Sequence, residues 1–220
     1  MVNGLERASK HIKEKEYDKA FQLFIDWIEQ HPDDPIGYVN AGNLCAQLKQ
    51  MKEAETFLLK AIELDETTAT AFVSLGNVYY EQSLYNEAGK MFHHALQLGY
   101  EDSDVYYLYG MTYVQTERPL LALPFLQRAV ELGGHIAYTF QYGLILAQLH
   151  YIDEAERVFY DVLAKDETHV DALYNVAIIQ IHRENYSEAQ SLLRRTLQLA
   201  PDHQLAKNAI EQLKILEREG

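Results

Sequence analysis

Apolar residues recur along this chain in two alternating groups, each at helical spacing. Between Ala71 and Leu96, Phe72, Leu75, Gly76 and Tyr79 stand at i, i+3, i+4 and i+7, which places them on one helix face. Ala88, Phe92 and Ala95 form the same kind of stripe further on, and Gln82 to Tyr85 makes a short polar break between the two. The pattern predicts two amphipathic helices and a tight turn, and neither helix can bury its stripe alone. Shifting by 34 residues recovers the unit: Tyr38, Ala41, Gly42 and Cys45, then Ala54, Leu58 and Ala61 upstream; Tyr106, Tyr109, Gly110 and Tyr113, then Ala122, Leu126 and Ala129 downstream. Further copies read Thr139, Tyr142, Gly143 and Leu146, then Ala155, Phe159 and Val162; and Leu173, Val176, Ala177 and Gln180, then Ala189, Leu193 and Thr196, closing at Pro201. A weaker first copy keeps Ala8, Ala20, Phe24 and Pro32.

The order of large residue, Gly, Tyr, then Ala, aromatic, Ala and a closing Pro resembles the tetratricopeptide repeat. The resemblance covers nearly the whole chain. It implies an all-α fold, a right-handed α-solenoid of antiparallel helix pairs, forming one stack over 1–220 with repeats at about 1–34, 35–68, 69–102, 103–135, 136–169 and 170–203. Residues 204–219 follow as a capping helix, with Leu205, Ala206, Ala209, Ile210, Leu213 and Leu216 on one stripe and Lys207, Gln212, Lys214 and Arg218 off it.

Two departures from the repeat carry expectations. The first copy has Gly4, Arg7 and His11 where large apolar residues and Tyr are expected, as suits an end repeat with a polar outer face. Trp27 stands where the next repeats have Ala and is expected to fill space beside the small residues of the first helices. In the fourth copy, Pro119 fits a first helical turn, whereas Pro124 should cost a hydrogen bond or kink the helix. Gly133-Gly134 should end that helix early, and Gly110 to Gly143 is one residue short of the repeat. A local change of superhelical twist is expected over 119–137.

The residues that the repeat does not require carry the functional reading. In tetratricopeptide arrays a second stripe, roughly 120° around the first helix at about 100° per residue, lines the concave surface. The resemblance therefore makes Asn40, Asn43, Asn77, Tyr80, Tyr107, Met111, Phe140, Gln141, Leu144, Tyr174, Asn175 and Ile178 the candidate peptide contacts. Amides dominate the N-terminal half and suit a peptide backbone. Aromatic and aliphatic side chains dominate the C-terminal half and suit apolar anchors. Chaperone-binding members of the family hold a terminal carboxylate with Lys, Arg and Asn. Here Asn43 and Asn77 match the amide part, but the groove positions of repeats 2 to 6 offer no Lys or Arg, so that ligand is not expected.

Composition narrows the partner. The net charge of −14 argues against nucleic acid and anionic membrane, and Glu81, Asp104, Asp171 and Glu184 near the rim favour a neutral-to-basic peptide. Cys45 is the single cysteine and falls at a core position, so no intrachain disulfide is implied and a cytoplasmic setting is expected. No apolar run approaches a membrane span. Nine histidines are present, but His93 and His94 are adjacent and diverge on a helix; His182 is the one placed to face the groove, and the rest read as isolated surface groups. No metal, cofactor or catalytic motif emerges. The expected function is a non-enzymatic module that binds a peptide segment of a partner protein. Self-association through the apolar half of the groove or an end face is the alternative.

Overall fold

The computed structural model describes residues 4–133 and 135–219, with Lys214 and residues 216–219 described by backbone alone. Gly134 and the side chains of Lys214, Leu216 and Arg218 therefore lie outside the described residues. Thirteen helices and no strand occur among the described residues. They are α1 (Gly4–Lys13), α2 (Tyr17–Gln30), α3 (Pro35–Gln47), α4 (Met51–Leu64), α5 (Ala69–Glu81), α6 (Tyr85–Gln97), α7 (Ser103–Gln115), α8 (Pro119–Glu131), α9 (Ile136–Gln148), α10 (Ile152–Lys165), α11 (Val170–His182), α12 (Tyr186–Leu199) and α13 (Gln204–Glu219). The chain groups into two compact units, Met1–Arg118 and Pro119–Gly220. The first holds α1 to α7 and the second α8 to α13.

Within each unit, consecutive helices pack as antiparallel pairs, and the small residues of the repeat set how closely they approach. A Cβ built on Gly42, Gly76 or Gly143 would lie 2.7 Å from Leu58 Cγ, 2.6 Å from Phe92 Cε1 and 2.7 Å from Phe159 Cε1 respectively. These are the large residues of the second-helix stripe, and all three are fully buried. Ala54, Ala88, Ala155 and Ala189 complete the close contacts at 0% exposure. A first helix bearing Gly thus lies directly against a second helix bearing Ala and a large side chain.

The turn inside every repeat follows one design. Lys15, Lys49, Ser83, Glu117, His150 and Glu184 all have φ between 59° and 63°. The residue after each donates its N–H back across the helix end, as in Gln50 to Cys45 (2.9 Å), Leu84 to Tyr79 (2.9 Å) and Asn185 to Gln180 (2.9 Å). This is the Schellman end, which satisfies carbonyls that would otherwise lack partners.

Trp27 is half-buried between the first and third helices. Its ring lies 3.8 Å from a Cβ built on Gly4 and 2.8 Å from one built on Gly37, stacks on His31 at 4.2 Å, and its Nε1 donates to Asp34 Oδ2 at 3.0 Å. It fills space, as its place in the sequence led us to expect. Helix α8 continues through Pro124 and ends at Glu131, one residue shorter than α4, α10 and α12. Its end matches that of α6: Gly133 (φ +82°) and Gly99 (φ +83°) both take the left-handed conformation that glycine adopts at no steric cost. In α13, Ala206 and Leu213 are fully buried and Ala209 nearly so, packed on Ala189 and Leu193. Leu205 and Ile215 stay exposed.

Candidate functional site

Each unit opens a hollow between successive first helices. In the N-terminal unit a hollow of about 430 Å³ opens between α5 and α7. Asn77, Tyr80 and Glu81 line it from α5, Tyr100 and Asp102 from the connecting loop, and Asp104 and Leu108 from α7. Asn77 is exposed, and among the described residues its amide makes no hydrogen bond to another side chain or backbone. Burial pushes the Tyr80 hydroxyl up to about 12, with Tyr107 and Tyr85 adding to the shift, so it remains a neutral donor. Tyr107 is half-buried beside it and shifted upward by burial. Asp102 Oδ1 accepts from Asp104 N–H at 2.8 Å and Val105 N–H at 3.3 Å, capping α7. Glu81 pairs with Lys49 at 2.6 Å. The hollow is amide- and phenol-walled, with carboxylates at its edge.

In the C-terminal unit the corresponding hollow, about 520 Å³, lies between α9 and α11. Ile152, Phe159, Ile178 and Ile179 give it apolar walls, and Asn175, His150 and His182 supply polar groups. Phe140 stands half-buried between Phe159 (5.7 Å) and His169 (4.7 Å), and the Tyr174 ring lies tilted against His203 at 5.0 Å. The two histidines also cap helices: His169 Nδ1 accepts from Ala172 N–H at 3.2 Å and His203 Nδ1 from Ala206 N–H at 3.1 Å. They are built into the repeat junctions and are not isolated surface groups.

The stripe read from the sequence is thus divided. Asn77, Tyr80, Asn175 and Ile178 line the two hollows, and Asn43 is exposed on α3. Asn40 and Asn175 each donate to their own helix, to Ile36 O (2.8 Å) and Asp171 O (2.7 Å), which commits one amide proton. Gln141 is half-buried, and Leu144 packs against the core around Leu146 and Phe159. Met111 is 8% exposed and leaves little surface for a ligand; its flexible thioether chain folds into the packing. Among the residues the stripe omitted, Leu108 sits one residue beyond it on α7. Tyr100, Asp102 and His150 come from turns, whose placement no helical periodicity encodes.

His182, placed toward the groove by its position in the repeat, does line a hollow. Elsewhere, His11, Glu14 and Glu16 converge within 4.8 Å. Glu16 already binds His11 Nδ1 at 2.5 Å and Lys19 Nζ at 2.7 Å. The cluster reads as ion pairing around the first turn.

Comparison with known proteins agrees with this architecture. Residues 37–68, 73–135 and 146–213 each match the tetratricopeptide repeat. The chain belongs to the tetratricopeptide-repeat family. Its fold class is the all-α solenoid of helix pairs. The crystal structure of YrrB, described as a TPR protein with an unusual peptide-binding site, is 40% identical over 86% of this chain and 97% of that one, with a TM-score of 0.78. PilF of Pseudomonas aeruginosa, at 18% identity, 95% coverage of both chains and a TM-score of 0.76, shares the fold. Curated relatives include the protein O-mannosyl-transferase Tmtc3 of Drosophila melanogaster, 27% identical over 66% of this chain. DnaJ homolog subfamily C member 7 of Homo sapiens is 22% identical over 96%. The chain spans 16% and 45% of those two proteins. No helix among the described residues is long and apolar enough to cross a membrane.

Proposed function

We propose that this protein is a non-enzymatic interaction module that binds neutral-to-basic peptide segments of partner proteins on the faces built by its first helices. One observation carries the reading: each unit opens a hollow between successive first helices, and Asn77 and Tyr80 in the first and Asn175 and His182 in the second line it with polar groups that lie off the repeat's packing stripe. In the first, Asn77 and Tyr80 offer backbone-directed hydrogen bonds and Glu81, Asp102 and Asp104 offer negative charge. In the second, Ile152, Ile178 and Ile179 offer an apolar seat. The likeness to YrrB supports a peptide as the ligand.

The carboxylates support the non-enzymatic part. Hydrogen bonds to Thr67, to Thr168 and to Lys19 and His11 hold Asp65, Asp166 and Glu16 below the usual carboxylate range. That favours the ionised form, the opposite of what a proton donor needs. A cytoplasmic setting fits the single buried thiol, Cys45.

Selection from a displayed peptide library, followed by titration of the selected sequences, tests the reading. Asn77→Ala should weaken binding by about 0.5–1.5 kcal/mol, and Tyr80→Ala by about 1–3 kcal/mol, without lowering the melting temperature. Selected peptides that bind these variants as well as the parent would place the site elsewhere. A second reading, self-association, is favoured by the adjacent exposed leucines Leu120 (57%) and Leu121 (51%). Light scattering at two concentrations separates it from the first, since a mass that does not change with concentration excludes it.

A further inference from the structure

Two first helices of the N-terminal unit start at a capping aspartate, Asp34 before α3 and Asp102 before α7, at the same repeat position two repeats apart. In both, Oδ1 accepts backbone N–H groups of the first turn: Ile36 at 3.0 Å for Asp34, and Asp104 at 2.8 Å and Val105 at 3.3 Å for Asp102. They differ at the second oxygen. Asp34 Oδ2 accepts from the flat indole of Trp27 at 3.0 Å. Asp102 Oδ2 has no hydrogen-bond partner among the described residues. The sequence explains the difference. Ala95 stands at the repeat position of Trp27, and Phe72 and Val105 stand where Gly4 and Gly37 make room for the indole. All three are buried, and none carries a side-chain donor. The side left open to Asp102 is the hollow between α5 and α7, which it helps to line.

Around that hollow, further acceptors stand without a partner among the described residues: the amide oxygen of Asn77 and the hydroxyl of Tyr80. Tyr80 and Tyr100, both half-buried, add two phenol rings to the wall. Asp102 is itself half-buried, and its two backbone hydrogen bonds fix the direction of its carboxylate. A guest that satisfies this set must be flat, cationic and rich in N–H donors. A guanidinium is all three: its five N–H groups lie in one plane, its charge is permanent, and its face stacks on aromatic rings. An ammonium has three donors around a point and no flat face.

We propose that the hollow between α5 and α7 seats the side chain of one arginine of the bound peptide, which donates to Asp102 Oδ2 as Trp27 donates to Asp34 Oδ2. Asn77 and Tyr80 accept further N–H groups of the same guanidinium, and the phenol rings of Tyr80 and Tyr100 form the wall along its face. The inference rests on the first-helix reading and narrows it: the preference for a basic peptide becomes a preference for arginine at one fixed place, held by a charge-assisted hydrogen bond.

The probe is a short capped peptide of glycine and serine with one central arginine, titrated by NMR at low salt. The same peptide with citrulline, which keeps the shape and loses the charge, and with lysine is titrated beside it. The arginine peptide should bind roughly tenfold more tightly than the citrulline peptide, and more tightly than the lysine peptide. Amide chemical-shift changes should centre on residues 77–81 and 100–108. Asp102→Asn keeps the Oδ1 acceptor that caps α7 and should cut the arginine-to-citrulline ratio to about threefold or less. The ratio is taken within each variant, so any change in folded fraction cancels. Tyr80→Leu should weaken the arginine and citrulline peptides alike by removing part of the wall. The inference is overturned if arginine and citrulline peptides bind equally, if Asp102→Asn keeps the full preference, or if lysine binds as tightly as arginine. It is also overturned if display selection yields peptides without arginine that Asn77→Ala weakens, a result that leaves the first-helix reading standing. Selected peptides that respond to neither Asn77→Ala nor Tyr80→Ala overturn both.

Discussion

Single positions show how little room the helix contacts leave. A Cβ on Gly76 would meet the Phe92 ring at 2.6 Å, so even one methyl forces the ring to move. Gly76→Leu should destabilise by about 1–3 kcal/mol through overpacking, read as a lower urea midpoint at unchanged slope. A parent-like midpoint would mean that Phe92 has somewhere else to go. Thr139 tests the opposite kind of imperfection. It is 2% exposed, and its buried Oγ1 has no hydrogen-bond partner among the described residues. Thr139→Val keeps the shape and removes the stranded hydroxyl, so it should stabilise by about 1 kcal/mol; a destabilised variant would show that the hydroxyl has a partner in solution. The packing residues were legible in the sequence because their spacing is fixed by helix geometry. Exposure at a given repeat position was not: Asn43 and Asn77 are exposed, whereas Met111, at the same position, is buried. An apolar chain at that position can fold back into the packing, and an amide loses hydration if it does so.

Elements were legible to within a residue or so wherever helical periodicity ran, and least legible at the turns. The polar break at 82–85 was evident, but its left-handed residue was not, because Ser83, Lys49 and Glu184 occupy a conformation usually marked by glycine. At the end of α8 the sequence did carry that marker, in Gly133. Within α8, Pro124 was expected to cost a hydrogen bond or a kink. The helix is continuous through it, and Pro124 is exposed. The missing N–H is the one that would have bonded Leu120 O, near the helix start, where water can reach the carbonyl. Pro124→Ala restores that donor and should stabilise by about 1–3 kcal/mol. A variant markedly less stable than the parent would mean that the ring contributes packing the new side chain cannot replace. The acid limb of stability belongs to this scale too. Asp65 accepts from Thr67 N–H (2.9 Å), Thr67 Oγ1 (2.7 Å) and Thr68 Oγ1 (2.8 Å), so its folded value lies below the ordinary 3.8. A depressed carboxylate stabilises fully above its unfolded value, and the contribution is lost as pH falls through the folded one. Asp65→Asn should therefore flatten the stability profile below about pH 4 and leave its shape near neutrality unchanged.

For the whole molecule, the repeat made the fold legible, because six copies in register leave few architectures that bury every stripe. Function was legible only as a class. Which face is hollow follows from the family geometry, but the depth and charge of each hollow depend on turn residues such as Tyr100, Asp102 and His150. Charge is where the whole-molecule property meets the site. With a net charge of −14 and carboxylates of Glu81, Asp102 and Asp104 at the N-terminal hollow, association with a basic peptide should be steered by a negative field. Affinity should then fall as salt rises from about 0.05 to 0.5 M, mainly through the association rate. Asp102 is unsuitable for the test because it caps α7, and Glu81 because it is paired with Lys49. Asp104 is exposed at the rim and accepts from Ser103 Oγ at 3.4 Å; Asp104→Asn keeps an acceptor there and removes the charge, so it should remove about 0.2–1 kcal/mol of binding and reduce the salt slope. The same peptide with its lysines changed to glutamates should fail to bind this hollow at any salt. Affinity that is independent of both salt and Asp104 would assign recognition to the apolar hollow between α9 and α11, where Ile178 and Ile179 line the walls. Ile178→Ala would then carry the larger loss.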